Sequence, residues 1–401
     1  MLPVFYILVI AQIALGLYSL WEGFEWFSMV RRRMSSHAGF YTPVAAVICP
    51  CKGNERGLEE NLTALTKFEY ANYEIYFSLA TSLDPALKVI ERVKAASQKP
   101  VHIVIAGPPE NCGEKVYNLR RAVEALPNNF EVIVFVDSDV RLPRGWLTKL
   151  IAPLQDPRIG ATTAYRWLIP GGQSGAEAFA GALASAWNAA IATMLGRPRE
   201  NFCWGGGTAI RRQTFNDVQV LEAWQGALSD DFAMTAALAQ AGKPIVFCPE
   251  CLAVTVQPWT LEGLLEFTNR QILITRIYSP RRWMMGALAH ISYCLTLIYA
   301  AVVILDAMIE GDPWGQLALL VLAILLLAAM KGAMRTIAVN ELLPEWKPKL
   351  REWGWVWPVL APVVPFLYAW NFLMSLTTKR IRWRGIRYEL VSPSVTRILT
   401  H

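Results

Sequence analysis

Val132-Ile133-Val134-Phe135-Val136-Asp137-Ser138-Asp139 reads as a short, apolar, β-branched strand that ends in two carboxylates one residue apart. Open α/β sheets bind their ligands outside the carboxyl ends of their strands. Acidic side chains at i and i+2 on the frayed end of a strand can share one hard divalent cation, which in turn neutralises a diphosphate. Taken alone, Asp-x-Asp is equally the solvated loop after a buried strand, because short motifs recur by chance. The surrounding sequence has to decide.

Outward from this strand, helical and strand patterns alternate. Val44-Ala45-Ala46-Val47-Ile48-Cys49-Pro50 is an apolar run suited to a buried parallel strand, and Lys52-Gly53-Asn54-Glu55 breaks it before a helix near Leu58. Glu74-Ile75-Tyr76-Phe77-Ser78-Leu79 supplies a second strand, residues 85–96 a helix, His102-Ile103-Val104-Ile105 a third strand, and residues 116–126 the helix that precedes Val132. Such alternation predicts a doubly wound α/β sheet. No GxGxxG follows the first strand, which argues against a dinucleotide-type oxidoreductase.

The chain has 401 residues, 54% hydrophobic and only 17% charged, which is too apolar for an ordinary soluble enzyme. The apolar character lies at the ends. Residues 2–29 carry only Glu22 and Glu25 as charges and precede Arg31-Arg32-Arg33, the order of a retained anchor rather than a cleaved leader. Residues 285–308 and 315–330 are two further apolar runs, separated by Glu310-Gly311-Asp312-Pro313. Residues 356–376 form a third, broken by Pro358, Pro362 and Pro365, and this one is expected to dip in and return or to lie at the interface. The expected organisation is therefore an anchor over residues 1–30, a cytoplasmic α/β domain over 40–280, membrane or re-entrant helices over 285–378, and a basic tail over 379–401. The net charge of +6 clusters beside the apolar runs, which fits attraction to anionic lipid and not nucleic-acid reading. Seven cysteines include Cys49-Pro50-Cys51 and Cys248-Pro249-Glu250-Cys251; in apolar strand-like surroundings they read as small hydrophobes before they read as zinc ligands.

Two more segments carry chemistry. Asp230-Asp231-Phe232 opens an apolar helical pattern, so both carboxylates fall at a helix amino terminus, where an acidic cap is the ordinary reading and a general base the functional one. Phe202-Cys203-Trp204-Gly205-Gly206-Gly207-Thr208 offers glycines that permit a close backbone approach or a left-handed turn. Ahead of both, Phe179, Leu183, Trp187 and Ile191 recur at helical spacing, the stripe of a core-facing or interfacial helix.

In this order, the Val-rich strand and polar turn, Lys115-Val116-Tyr117-Asn118-Leu119, Asp137-Ser138-Asp139, Asp230-Asp231-Phe232 and an Arg/Gln element near the membrane resemble the inverting GT-A glycosyltransferases, and among them the ceramide glucosyltransferase-like branch, from about Pro43 to Arg276. The resemblance implies a GT-A (nucleotide-diphospho-sugar transferase) domain flanked by transmembrane helices, a UDP-sugar donor and a lipid acceptor. It implies Mg²⁺ or Mn²⁺ on Asp139 and Asp137, with Asp137 also a ribose contact, and Lys115 and Asn118 beside the nucleotide. Asp231 would be the base, oriented by Asp230, and Trp204, Gly205 and Gly206 would line the acceptor side, with the indole as a sugar-stacking surface. Two departures stand out. Ser78-Leu79-Ala80-Thr81-Ser82-Leu83-Asp84 keeps only Asp84 where the family usually has an earlier nucleobase-contacting aspartate. In Arg270-Gln271-Ile272-Leu273-Ile274-Thr275-Arg276, Leu273 and Ile274 replace the family's Arg-Trp, so positive charge on the diphosphate falls to Arg270 and to Arg276, with Gln271 a neutral contact on the donor side. The resulting expectation is a hexosyltransferase in glycolipid synthesis at a bacterial inner or internal membrane. A processive polysaccharide synthase and a catalytically silent sugar-nucleotide or lipid binder are the alternatives.

Overall fold

β-Branched and aromatic runs too short to be helices build the centre of the molecule. In the computed structural model, which describes residues 1–35, 41–172 and 174–400, the strands β1 (Ala45–Pro50), β2 (Tyr73–Leu79), β3 (Val101–Ile105), β4 (Val132–Val136), β5 (Ala161–Thr163), β6 (Arg166–Gly171), β7 (Gly207–Arg211), β8 (Ile245–Phe247) and β9 (Ala253–Pro258) follow one another with helices between. Residue 40, the expected start of the soluble domain, lies outside the described residues. Seven strands form one sheet in the order β3-β2-β1-β4-β7-β5-β8. Neighbours from β3 to β4 are parallel, β7 runs antiparallel to both β4 and β5, and β5 is parallel to β8. β1 and β4 are buried along nearly their whole length, as their unbroken apolar sequences require of strands covered on both faces. The order reverses between β1 and β4, so the crevice at their carboxyl ends is the topological switch point, where such sheets bind ligands.

The chain divides into two compact units. The sheet unit takes in residues 32–167, 194–255 and 379–401, and the helical unit residues 1–31, 168–193 and 256–378. Within the sheet unit, the segment expected to be a basic tail is folded: β10 (Arg380–Trp383), β11 (Ile386–Ser392) and β12 (Val395–Thr400) form an antiparallel sheet. Arg384 and Gly385 turn the first hairpin with φ of 47° and 86°, the left-handed pair that a two-residue turn requires.

Among the described residues, three helices, Leu2–Met34, Pro280–Glu310 and Gly315–Leu342, are long and apolar enough to cross a membrane. The proline-rich segment is divided into Val356–Leu360 and Val364–Thr377. At 1.5 Å per residue the longer piece reaches only about 21 Å, short of the ~30 Å hydrocarbon layer. The helix Gly175–Ala192 starts on a capping box in which Ser174 Oγ accepts from Glu177 N. Its Trp187 is buried with Tyr368 and Phe372 of the proline-rich segment, and the Trp187 Nε1 donates to Asn371 Oδ1 at 3.1 Å. The stripe read from the sequence thus faces this core at Trp187, while Phe179 stays 54% exposed.

Candidate active site

The two acidic motifs meet on one lysine. Lys115 stands in the first turn of the helix Glu114–Glu124, and its Nζ lies 2.8 Å from Asp137 Oδ1 and 3.2 Å from Asp230 Oδ1. On the far side of Asp137, the Arg166 guanidinium spans both carboxylates of the strand-end motif, 3.0 Å from Asp137 Oδ2 and 3.2 Å from Asp139 Oδ2. Arg166 comes from the start of β6 and was not singled out in the sequence. One signal for it exists in Ala164-Tyr165-Arg166-Trp167-Leu168: a lone charge in an apolar run must find a partner, because an unpaired buried charge is too costly to keep.

These contacts fix the charge states. Burial alone would push Asp137 up, but the Lys115 ammonium and then the Arg166 guanidinium outweigh it and hold this carboxyl below its usual range. Burial would lower Lys115 and Arg166 too, yet their carboxylate partners raise both. Asp230 goes the other way. It is only 3% exposed, and burial, relieved in part by Lys115 and reinforced by Asp231 and Asp137, pushes its carboxyl up to about 6. Asp231, half-buried on the next position, has Oδ1 held by the Ser229 hydroxyl and by its own helix through Phe232 N at 2.8 Å. The start of this helix is fixed further by Trp224 Nε1 on the Asp230 carbonyl and by Thr235 Oγ1 on the Asp231 carbonyl.

The glycine loop is built for close approach. A Cβ on Gly205 would lie 2.5 Å from Lys115 Nζ and 2.7 Å from Asp230 Oδ2, so only glycine lets that ion pair close over the backbone. Trp204 was expected to offer a sugar-stacking face, but the ring is 7% exposed. Tyr165 packs 5.7 Å from it and Arg166 lies over it at 5.2 Å, so the indole supports the guanidinium from below.

Other expected residues have local duties. Asp84 Oδ1 accepts from Gly53 N at 2.9 Å and Ala86 N at 2.8 Å, which ties the loop after β1 to a helix start. Asn118, one turn beyond Lys115, is buried, and its Oδ1 has no partner among the described residues. Arg270, Gln271 and Arg276 lie on the helix Leu261–Tyr278 of the helical unit. There Arg270 sits over the Phe267 ring and Arg276 donates to the Thr378 carbonyl at 3.2 Å.

Arg384, also absent from the sequence reading of the site, comes from the β10–β11 hairpin turn. It donates to the Lys52 carbonyl at 3.0 Å and pairs with Glu55 at 2.8 Å, and its charge contributes to holding Asp137 ionised. The same small sheet reaches two more elements of the site. Tyr388 Oη accepts from Glu114 N at 3.3 Å, and the Ser394 carbonyl would lie 2.0 Å from a Cβ on Gly226, four residues before Asp230. The loop after β1, the helix bearing Lys115 and the approach to Asp230 are thus all tied to the C-terminal sheet.

The profile of Glycosyl transferase family 21 matches residues 4–394. In structure the chain is similar to the mannosyltransferase PcManGT from Pyrobaculum calidifontis, solved in complex with GDP-Man and Mn²⁺, with 17% identity, 92% of this chain and 99% of that chain covered, and a TM-score of 0.53. Weaker similarity connects it to GalNAc-T7 solved with UDP, GalNAc and Mn²⁺ (14% identity, 58% of this chain and 48% of that chain, TM-score 0.38) and to glucosyl-3-phosphoglycerate synthase from Mycobacterium tuberculosis solved with Mn²⁺, UDP and glucosyl-3-phosphoglycerate (14%, 60% and 85%, 0.36). No curated protein matches the chain in sequence. The mixed α/β architecture with its central parallel strands is that of the GT-A fold.

Proposed function

Because the chain belongs to glycosyl transferase family 21 and is a glycosyltransferase using a nucleotide sugar, we propose that it moves a hexose, glucose from UDP-glucose, onto the hydroxyl of a lipid such as ceramide, in a single displacement that inverts the anomeric centre. The observation that carries this reading is the meeting of Asp137, Asp139 and Asp230 on Lys115 and Arg166 at the switch point of the sheet.

Asp231 is the base. With Oδ1 held by Ser229 and Phe232 N, its other oxygen keeps a fixed aim and takes the proton of the acceptor hydroxyl as that oxygen attacks the anomeric carbon. Asp230 contributes by anchoring Lys115, whose charge adds to the field around the base. Asp137 and Asp139 would hold Mg²⁺ or Mn²⁺. The donor set fits, since hard carboxylate oxygens from both residues already converge on one cation, the Arg166 guanidinium. Among the described residues no three acidic, histidine or cysteine side chains gather to hold an ion unaided, so oxygens of the donor diphosphate would complete its shell. When bound, the ion supplies charge neutralisation to the departing diphosphate. Lys115, Arg166 and Arg384 add fixed positive charge at the same end of the sheet. Arg384 is our candidate for the charge missing at Leu273 and Ile274, and it would act on the donor rather than on the acceptor.

The three candidate spans support an integral membrane enzyme with the sheet unit on the cytoplasmic face of a bacterial inner or internal membrane. Arg31, Arg32 and Arg33 at the end of the first helix favour that side. Two crossings after the sheet domain return the chain to it, as required by the packing of β10–β12 on Lys52, Glu55 and Gly226.

The test is release of nucleoside diphosphate from UDP-glucose or GDP-mannose by the purified full chain with a lipid extract, with mass spectrometry of the products. The proposal expects UDP release that needs added lipid and one hexose added per lipid. Products that lengthen without added lipid would indicate a polysaccharide synthase, and no release with any donor would indicate a silent binder.

A further inference from the structure

Two cations lie where the apolar runs of the helical unit end. Lys331 and Arg335 stand one turn apart on the helix Gly315–Leu342, facing Glu22 and Trp26 of the helix Leu2–Ser35, and these four line a pocket with Thr193, at the end of the helix Gly175–Ala192. The enclosed part of the pocket is small, about 20 Å³, and opens outward into a mouth that brings the empty space to about 290 Å³, so a ligand group would sit in the mouth against these walls. Its walls are held rigidly. Lys331 Nζ donates to Ser19 Oγ across the helix pair, and Arg31 pairs with Glu341 at 2.6 Å further along.

Two donors of the lining have no partner among the described residues. Trp26 is 8% exposed, and its Nε1 has no hydrogen-bond partner; the buried Nε of Arg335 has none either. Leaving a buried N–H unpaired is costly, and more so for a charged group. The walls carry two basic side chains, Lys331 and Arg335, against the one carboxylate of Glu22. A ligand that answers both the charge and the orphaned donors is a monoanion with several acceptor oxygens, which is the chemistry of a phosphodiester.

Depth selects the source. The first charge of the helix Leu2–Ser35 is Glu22, and the helix Gly315–Leu342 carries none before Lys331. At 1.5 Å per residue these lie roughly 30 Å and 24 Å from the far ends of their helices. On the membrane reading proposed above, the pocket therefore sits at the boundary between hydrocarbon and headgroups on the side of Arg31, Arg32 and Arg33. Basic pockets between spanning helices on that side bind anionic headgroups. We propose that this pocket is a binding site for the phosphodiester of an anionic membrane phospholipid, held by Lys331, Arg335 and Trp26 Nε1.

The experiment is native mass spectrometry of the full chain exchanged into detergent with equal phosphatidylglycerol and phosphatidylcholine, for wild type, Arg335→Gln, Lys331→Gln and Trp26→Phe. Trp26→Phe keeps an aromatic side chain and both charges while removing the N–H together with the pyrrole part of the indole, so it gives a second readout if the charge variants fail to fold, with the melting temperature measured alongside. We expect wild type to retain phosphatidylglycerol preferentially, each charge variant to retain about tenfold less, and Trp26→Phe to retain several-fold less. Retention of both lipids in equal amounts would overturn the proposal, as would Trp26→Phe retaining as much phosphatidylglycerol as wild type. Displacement of the lipid by millimolar inorganic phosphate would overturn the lipid as ligand and leave a plain anion site. Lipid retention is read without sugar transfer, so its failure leaves the transferase reading untouched.

Discussion

Asp137-Ser138-Asp139 and Asp230-Asp231 are both short acidic motifs that meet around Lys115, and they differ in what answers their charge. The first pair is met by cations: Lys115 on one carboxylate and Arg166 on both. The second is met mainly by neutral donors and burial, with Lys115 touching only Asp230. Carboxylates already gathered around a guanidinium are arranged to hold positive charge. A carboxylate aimed by a hydroxyl and a backbone N–H is arranged to receive a proton. Composition alone would have made the two motifs equivalent; the partners divide the labour.

The largest effect expected from this division is at Asp231. Asp231→Asn removes the proton acceptor and keeps the shape, so turnover should fall by about 10²–10⁴-fold, measured as UDP release with saturating donor and lipid. Next is Asp139→Asn, which should need at least about tenfold more Mn²⁺ or Mg²⁺ for half-maximal activity, while chelation should silence the wild type and added metal restore it. Third, Arg384→Ala should raise the KM for donor by about tenfold with kcat changed less, and Arg384→Lys should recover part of the loss. An equal loss in both Arg384 variants together with a lowered melting temperature would assign this residue to holding the C-terminal sheet. The smallest effect is in pH. Because burial raises Asp230 to about 6, its carboxyl is neutral below that pH and Lys115 loses one of its two counter-charges. Activity should therefore decline below about pH 6, by about tenfold per unit once the group is mostly protonated, and Asp230→Asn should lack this limb.

Much of the site was legible because its signals are local. An apolar β4 followed by Asp-x-Asp, and two acids ahead of a helical pattern, announce a strand end and a helix start whatever surrounds them. Lys115 was placed near the nucleotide by motif order, and the structure adds its ion pairs with both Asp137 and Asp230. Arg166 and Arg384 escaped because their meaning is tertiary. Arg166 lies 27 residues after Asp139 and reaches it only because β6 starts at the strand-end crevice. For Arg384 a signal was present and passed over: Arg380-Ile381-Arg382-Trp383 and Arg387-Tyr388-Glu389-Leu390 alternate charged and apolar residues around Arg-Gly, the period of half-buried strands around a tight turn. Net charge drew attention to the membrane, while periodicity pointed to a folded sheet. Trp204 shows the opposite error, an aromatic beside glycines read as a ligand surface when its ring is covered by Arg166 and Tyr165.

The division of labour is tested most directly by titrating UDP into the full chain with and without Mn²⁺, for wild type, Asp139→Asn and Asp231→Asn. The account predicts that Mn²⁺ strengthens UDP binding to wild type and to Asp231→Asn alike, and that Asp139→Asn loses this strengthening. Loss of the metal-dependent affinity in Asp231→Asn, or its survival in Asp139→Asn, would contradict it.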